Sequence, residues 1–112
     1  MKAVPERSTA GLTVSIFDED DVLVPIGAIS AFLWEAHSIK PGVSNPVLTG
    51  STLPTANPHT LIVDLTAIDV TAVGDRLQFY FKVTYDSVKL GDDSIARDGP
   101  FTLHLEDSKI ST

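Results

Sequence analysis

The chain has 112 residues, a length that fits one domain and is too short for two ordinary ones. Apolar residues make up 43% and charged residues 21%, so the chain can bury enough surface to fold around a hydrophobic core. Fifteen acidic against eight basic residues give a net charge of -7, a sign that repels phosphate backbones and anionic lipid headgroups. Nucleic-acid binding and membrane binding are therefore not expected. The absence of cysteine excludes disulfides, thiolate metal sites and a cysteine nucleophile.

The two ends of the chain carry no regular pattern. We predict an N-terminal arm over residues 1–10, a folded domain over residues 11–106 and a C-terminal tail over residues 107–112. The first eleven residues lack the apolar core of a secretory signal, so export is not expected. The longest apolar stretch, residues 22–34, is too short to span a bilayer and contains Pro25 and Gly27.

Alternation of apolar and polar side chains predicts strands between turn-forming clusters. In chain order the alternating segments are 12–17, 29–35, 60–66, 76–85 and 101–106, with shorter candidates at 22–26 and 46–49. Residues 67–74 are predicted to form a crossing loop with room for one helical turn, and residues 89–100 a polar loop.

About seven short strands without long helices predict an all-β fold, in which two antiparallel sheets pack face to face as an immunoglobulin-like β-sandwich with short N- and C-terminal arms. A jelly roll or a small barrel would need more strands. Phe79, Phe81 and Val83 are predicted to lie on the central core strand, with Phe32 and Trp34 as their aromatic partners in the facing sheet.

Few residues suggest a metal site. His37, His59 and His104 are isolated in the sequence and have no cysteine to support them; we place the first two in loops and the third on the solvent face of the last strand. Asp18, Asp20 and Asp21 are the candidate calcium ligands, but their run lacks the spacing and glycine of helical calcium loops. A solvated hairpin turn is the preferred interpretation, and no cofactor is predicted.

No motif points to catalysis. The chain has neither a G-x-S-x-G nucleophile elbow nor a glycine-rich phosphate loop, and a domain this small leaves little wall for a substrate cleft. We therefore expect no catalytic residues and no enzyme activity. Tyr80 faces away from the predicted core beside Gln78 and Lys82, and these three residues are the candidate interface.

The order of several segments is distinctive. They are Gly11–Asp20 (GLTVSIFDED), a proline-containing stretch, Ala28–Trp34, Leu53-Pro54, His59–Ile68, Arg76–Asp86 and Phe101–Leu103. Together, over residues 11–105, they resemble small immunoglobulin-like β-sandwich structural proteins of tailed bacteriophages. The loop over residues 89–100 is longer and more acidic than that resemblance suggests.

The resemblance implies a non-enzymatic virion protein that is made in the host cytoplasm and binds other virion proteins and copies of itself. Capsid cement or decoration is the favoured position, with the neck or tail next. A cement role implies trimers or local clusters, and a neck role implies a ring.

Two other functions remain open from the residues. A carbohydrate-binding or host-adhesion module would need an exposed aromatic platform, with Trp34 facing solvent; we interpret Trp34 as buried because it follows Phe32 and Leu33. A small hydrolase would need a histidine within hydrogen-bond reach of both a serine and an aspartate.

Overall fold

The structure is a computed structural model that describes residues 2–53, 59–87 and 89–108. Seven strands and one short helix follow one another along these residues. They are β1 (Lys2–Pro5), β2 (Thr9–Val14), β3 (Ile29–Ser38), β4 (Leu48–Gly50), β5 (His59–Asp64), α1 (Val70–Val73), β6 (Arg76–Ser87) and β7 (Gly91–Glu106).

The strands form two sheets. Five of them lie in the order β1-β7-β6-β3-β4, and β2 pairs with β5 in the second sheet. The pairings are antiparallel except that of β1 with β7, which is parallel. The predicted all-β sandwich of about seven strands is confirmed, and the immunoglobulin-like identity stays a prediction.

Side chains from both sheets form one buried cluster. On β6, every second residue from Leu77 to Tyr85 is buried, as the alternation predicts. The opposite sheet contributes Leu12, Leu61 and Val63, each at most 2% exposed. The two sheets thus bury their facing sides against each other, which is the source of most of the stability of a sandwich.

The aromatic partners lie elsewhere than predicted. Phe32 and Trp34 belong to β3, which is hydrogen-bonded to β6, so they lie in the same sheet as Phe79 and Phe81. The ring centroids are 5.7 Å apart for Phe32 and Phe81, and 5.5 Å apart for Trp34 and Phe79. These contacts are lateral, because side chains of neighbouring strands that point to one face pack side by side.

The predicted N-terminal arm is wrong for most of its length. Residues 2–5 form β1, and β2 already begins at Thr9. Val4 is buried beside the end of β7, and the N–H of Glu6 donates to the carbonyl of Glu106 at 2.9 Å. The sequence of this strand, KAVP, does not alternate, because one polar residue is followed by three apolar ones. Of the predicted tail, residues 109–112 lie outside the described residues.

Two segments have a different secondary structure from the one predicted. Residues 22–26 are no strand, because they follow a tight turn with a single bridge from Phe17 to Leu23 and lead into a 3-10 turn over Ile26–Ala28. Residues 91–100 are not a loop but the first part of β7. Nearly all of this part is at least partly exposed on both faces, which explains its polar composition. The helical turn predicted within residues 67–74 is present as α1, whose first turn is capped by Asp69.

Candidate interaction surface

The outer face of the five-stranded sheet carries the predicted interface residues. Gln78, Tyr80 and Lys82 point away from the core along β6, between the buried positions. Tyr80 is 40% exposed and Leu33, on β3, is 46% exposed. The structure therefore brings the three residues together on one face, while their role as an interface stays a prediction.

Tyr80 is held in place by its neighbours on β3. Glu35 lies opposite Tyr80, and His37 lies opposite Gln78. The imidazole of His37 meets the Tyr80 ring edge to face, with centroids 5.0 Å apart, and its Nε2 lies 3.1 Å from Oε1 of Glu35. The prediction that His37 lies in a loop is wrong, because β3 continues to Ser38, whose hydroxyl donates to the carbonyl of Val73. An ordered aromatic at a half-exposed position suits a protein contact.

Two cations lie beside this aromatic. Lys82 on β6 pairs directly with Arg97 on β7, and Leu33 pairs with Lys82 from the other side. Ile95, two residues before Arg97, is 56% exposed. Leu33, Tyr80, Lys82, Ile95 and Arg97 together are called the cationic patch below. A shallow depression of about 190 Å³ lies within it.

Sequence reasoning missed Arg97 and Ile95. Both lie in the segment that was predicted to be a loop, so nothing indicated which residues of β6 they would face. A register between two strands follows from pairing geometry and not from composition.

The acidic run 18–21 forms the predicted tight turn. The side chain of Asp18 accepts hydrogen bonds from the backbone N–H groups of Asp20 and Val22 at 2.9 and 3.0 Å. Its oxygen is thus occupied in closing the turn. Within residues 2–53, 59–87 and 89–108, no three histidine or acidic side chains lie where they could hold a metal ion, so Asp18, Asp20 and Asp21 are not brought together as calcium ligands.

Glu19 points back onto the sandwich. Its carboxylate accepts hydrogen bonds from the hydroxyls of Ser87 at 2.7 Å and Tyr85 at 3.2 Å. A hydrogen bond from its own backbone amide, and next one from the hydroxyl of Ser87, hold the pKa of Glu19 below its ordinary value. Burial, followed by the hydrogen bond and charge of Glu19, raises the pKa of the Tyr85 hydroxyl.

These shifts predict opposite pH limits of stability. As the pH falls below about 4.5, Glu19 is protonated in the unfolded chain before it is protonated in the folded chain. The stability that Glu19 contributes is therefore lost as the pH falls toward and through its lowered pKa in the folded chain. As the pH rises past about 10.0, Tyr85 loses its proton in the unfolded chain before it does so in the folded chain. The stability that the protonated Tyr85 contributes is therefore lost as the pH rises toward and through its raised pKa in the folded chain. In denaturant titrations, Glu19→Gln should flatten the acid side and Tyr85→Phe the alkaline side. Glu106→Gln, at an exposed position, is the control; an unchanged acid slope in Glu19→Gln would contradict the assignment.

The other two histidines, His104 and His59, are not part of the cationic patch. His104 lies between the buried Leu103 and Leu105, so it is on the solvent face of β7 as predicted, with Nε2 3.8 Å from Oδ2 of Asp75. His59 is the first residue of β5 and not a loop residue. Among the helices of the described residues, none has the length and apolar character that crossing a membrane requires.

Comparison of the chain with protein-family models, with curated proteins and with solved structures found no match.

Proposed function

We propose that the chain is a non-enzymatic structural protein of a tailed-phage particle that makes protein–protein contacts, with capsid cement or decoration favoured over a neck or tail position. The observation that carries the contact role is the cationic patch. It combines an ordered tyrosine, two exposed aliphatic side chains and two cations on one sheet face. Aromatic, aliphatic and arginine side chains around a shallow depression are typical of the centre of a protein interface. The place in a phage particle rests on the resemblance of the strand segments.

Trp34 weighs against the carbohydrate-binding alternative. Its side chain is only 7% exposed and packs against Phe79. Gly50 of β4 lies so close over the indole that a Cβ atom there would overlap the ring. Sugar stacking needs an aromatic face open to solvent, and this one is covered on both sides.

The proposal is tested by mixing the purified protein with phage particles that lack it and measuring cosedimentation. Saturable binding is expected. The double variant Leu33→Ser/Ile95→Ser should lose it, because it removes the apolar part of the cationic patch. Ile62→Ser is the matched control, since Ile62 is also an exposed aliphatic residue but belongs to the other sheet.

Wild-type protein that ignores every particle and is retarded on an immobilised polysaccharide would overturn the virion role. Equal loss of binding in the control variant would overturn the assignment to this sheet face.

A further inference from the structure

Most basic side chains in the described residues have a partner. Arg7 lies 3.3 Å from a carboxylate oxygen of Glu6, Arg76 lies 4.0 Å from Asp75, Lys89 lies 3.6 Å from Asp20, and Lys40 donates to the carbonyl of Thr71. Within the same part of the chain, the side chains of Lys82 and Arg97 make neither an ion pair nor a hydrogen bond. Two unpaired cations are unexpected in a chain with seven excess negative charges.

The two unpaired cations are also neighbours. Lys82 and Arg97 are directly paired residues of β6 and β7, and both point to the outer face. Opposite residues on one face of an antiparallel pair have Cβ atoms about 5 Å apart, and like charges there destabilise the sheet. A carboxylate placed between them would remove that repulsion. The patch is therefore suited to an anionic group.

Exposed apolar side chains flank the two cations. Leu33 and Ile95 are 46% and 56% exposed, and the depression of about 190 Å³ is lined by Leu33, Tyr80, both cations and Glu35, whose Oε1 lies 3.1 Å from Nε2 of His37. A small inorganic anion would leave these apolar side chains in water. An occupant that carries both carboxylates and apolar side chains would cover them.

The chain itself presents such a surface at one end of the sandwich. The turn over residues 17–22 and the connection between β6 and β7 are joined there by the contact of Glu19 with Ser87 and the ion pair of Asp20 with Lys89. This acidic end exposes Asp20, Asp21, Asp92 and Asp93 together with Val22, at 59%, and Leu90, at 62%.

One molecule cannot join its own two surfaces. Asp93 of the acidic end and Arg97 of the patch lie four residues apart on β7, which separates them by about 13 Å along the strand. That distance exceeds the Debye length of about 8 Å at physiological salt, so the acidic end does not neutralise the patch within the same chain.

We propose that the cationic patch binds the acidic end of a second copy of this chain. The contact is heterologous, because it joins two different surfaces and leaves one of each free on the pair. Repetition closes into a ring or continues as a filament. The inference rests on the proposed contact role and names self-assembly as one use of the face.

The test measures mass by light scattering for the wild type and two charge-reversal variants. Lys82→Glu/Arg97→Glu removes the patch, and Asp20→Lys/Asp92→Lys removes the acidic end. The wild type should exceed the 12.0 kDa chain mass increasingly with concentration, whereas each variant alone stays a monomer. An equimolar mixture of the variants should assemble again, because the intact acidic end of one variant meets the intact patch of the other, and the two reversed surfaces are also opposite in charge.

Arg76→Glu is the matched control, because Arg76 lies on the same face of β6 but about 20 Å from Lys82. This variant should assemble as the wild type does. Circular dichroism confirms that each variant is folded. A wild type that stays monomeric up to about 1 mM, or a variant mixture that stays monomeric while the wild type assembles, overturns the inference.

The test needs no phage particle, so two failures can be told apart. A monomeric wild type that binds particles overturns only this inference. An assembling wild type that binds no particle overturns only the virion role.

Discussion

Replacing Phe79 by alanine is expected to destabilise the fold by about 3–5 kcal/mol, the cost of removing a large aromatic side chain from a packed core. Phe79 is 0% exposed, and its ring lies 5.5 Å from that of Trp34 and 6.5 Å from that of Phe81. A domain of this size has a total stability of about 5–15 kcal/mol, so the loss removes a large share of it.

The measurement is thermal unfolding followed by tryptophan fluorescence. Trp34 is the single tryptophan and touches the deleted ring, so its emission reports on the change directly. The melting temperature should fall by about 15 °C. Tyr80→Ala is the matched control, because Tyr80 is the next residue of β6 but points to the outer face; it should cost about 1 kcal/mol or less. Similar losses in the two variants would mean that the alternation of β6 has been assigned to the wrong faces.

Long alternating segments could be predicted from the sequence because many residues agree on one face. β6 has twelve residues, and its pattern placed both the core residues and the candidate interface. β1, with four residues, has no comparable pattern, so the sequence predicts an arm there. The prediction of a loop for the first part of β7 is wrong for another reason, because a strand that is exposed on both faces has the polar composition of a loop.

The candidate surface could be predicted only in part. The alternation of β6 located Tyr80, Gln78 and Lys82 on one face, but the cationic patch also needs Arg97 and Ile95 from β7. Their place depends on the register of β7 against β6, with Lys82 opposite Arg97 and Thr84 opposite Ile95. Register follows from long-range pairing, which a single sequence does not display.

The burial of Glu6 could not be predicted from the sequence either, because it also depends on long-range contacts. Glu6 lies in the predicted arm, where a charged residue is expected to be solvated, yet it is only 4% exposed. Its Oε2 accepts a hydrogen bond from the backbone N–H of Val70 at 2.6 Å. Its Oε1 accepts from Arg7 at 3.3 Å and from the backbone N–H of Ser108 at 3.3 Å. Glu6 thus links the end of β1, the start of α1 and the residues after β7.

Replacing Glu6 by alanine is expected to cost about 2–3 kcal/mol, because hydrogen bonds to a charged acceptor contribute about 1.5–3 kcal/mol and the amide of Val70 would lose its partner. Denaturant unfolding measures the loss as a shift of the midpoint at constant slope. Glu6→Gln keeps an oxygen acceptor without the charge and should lie between the wild type and the alanine variant. Glu106→Ala, at an exposed position opposite Pro5, should change stability by less than about 0.5 kcal/mol. If Glu6→Ala proved as stable as Glu106→Ala, the carboxylate would not join the two ends of the chain to α1, and the N-terminal strand would be held by its pairing with β7 alone.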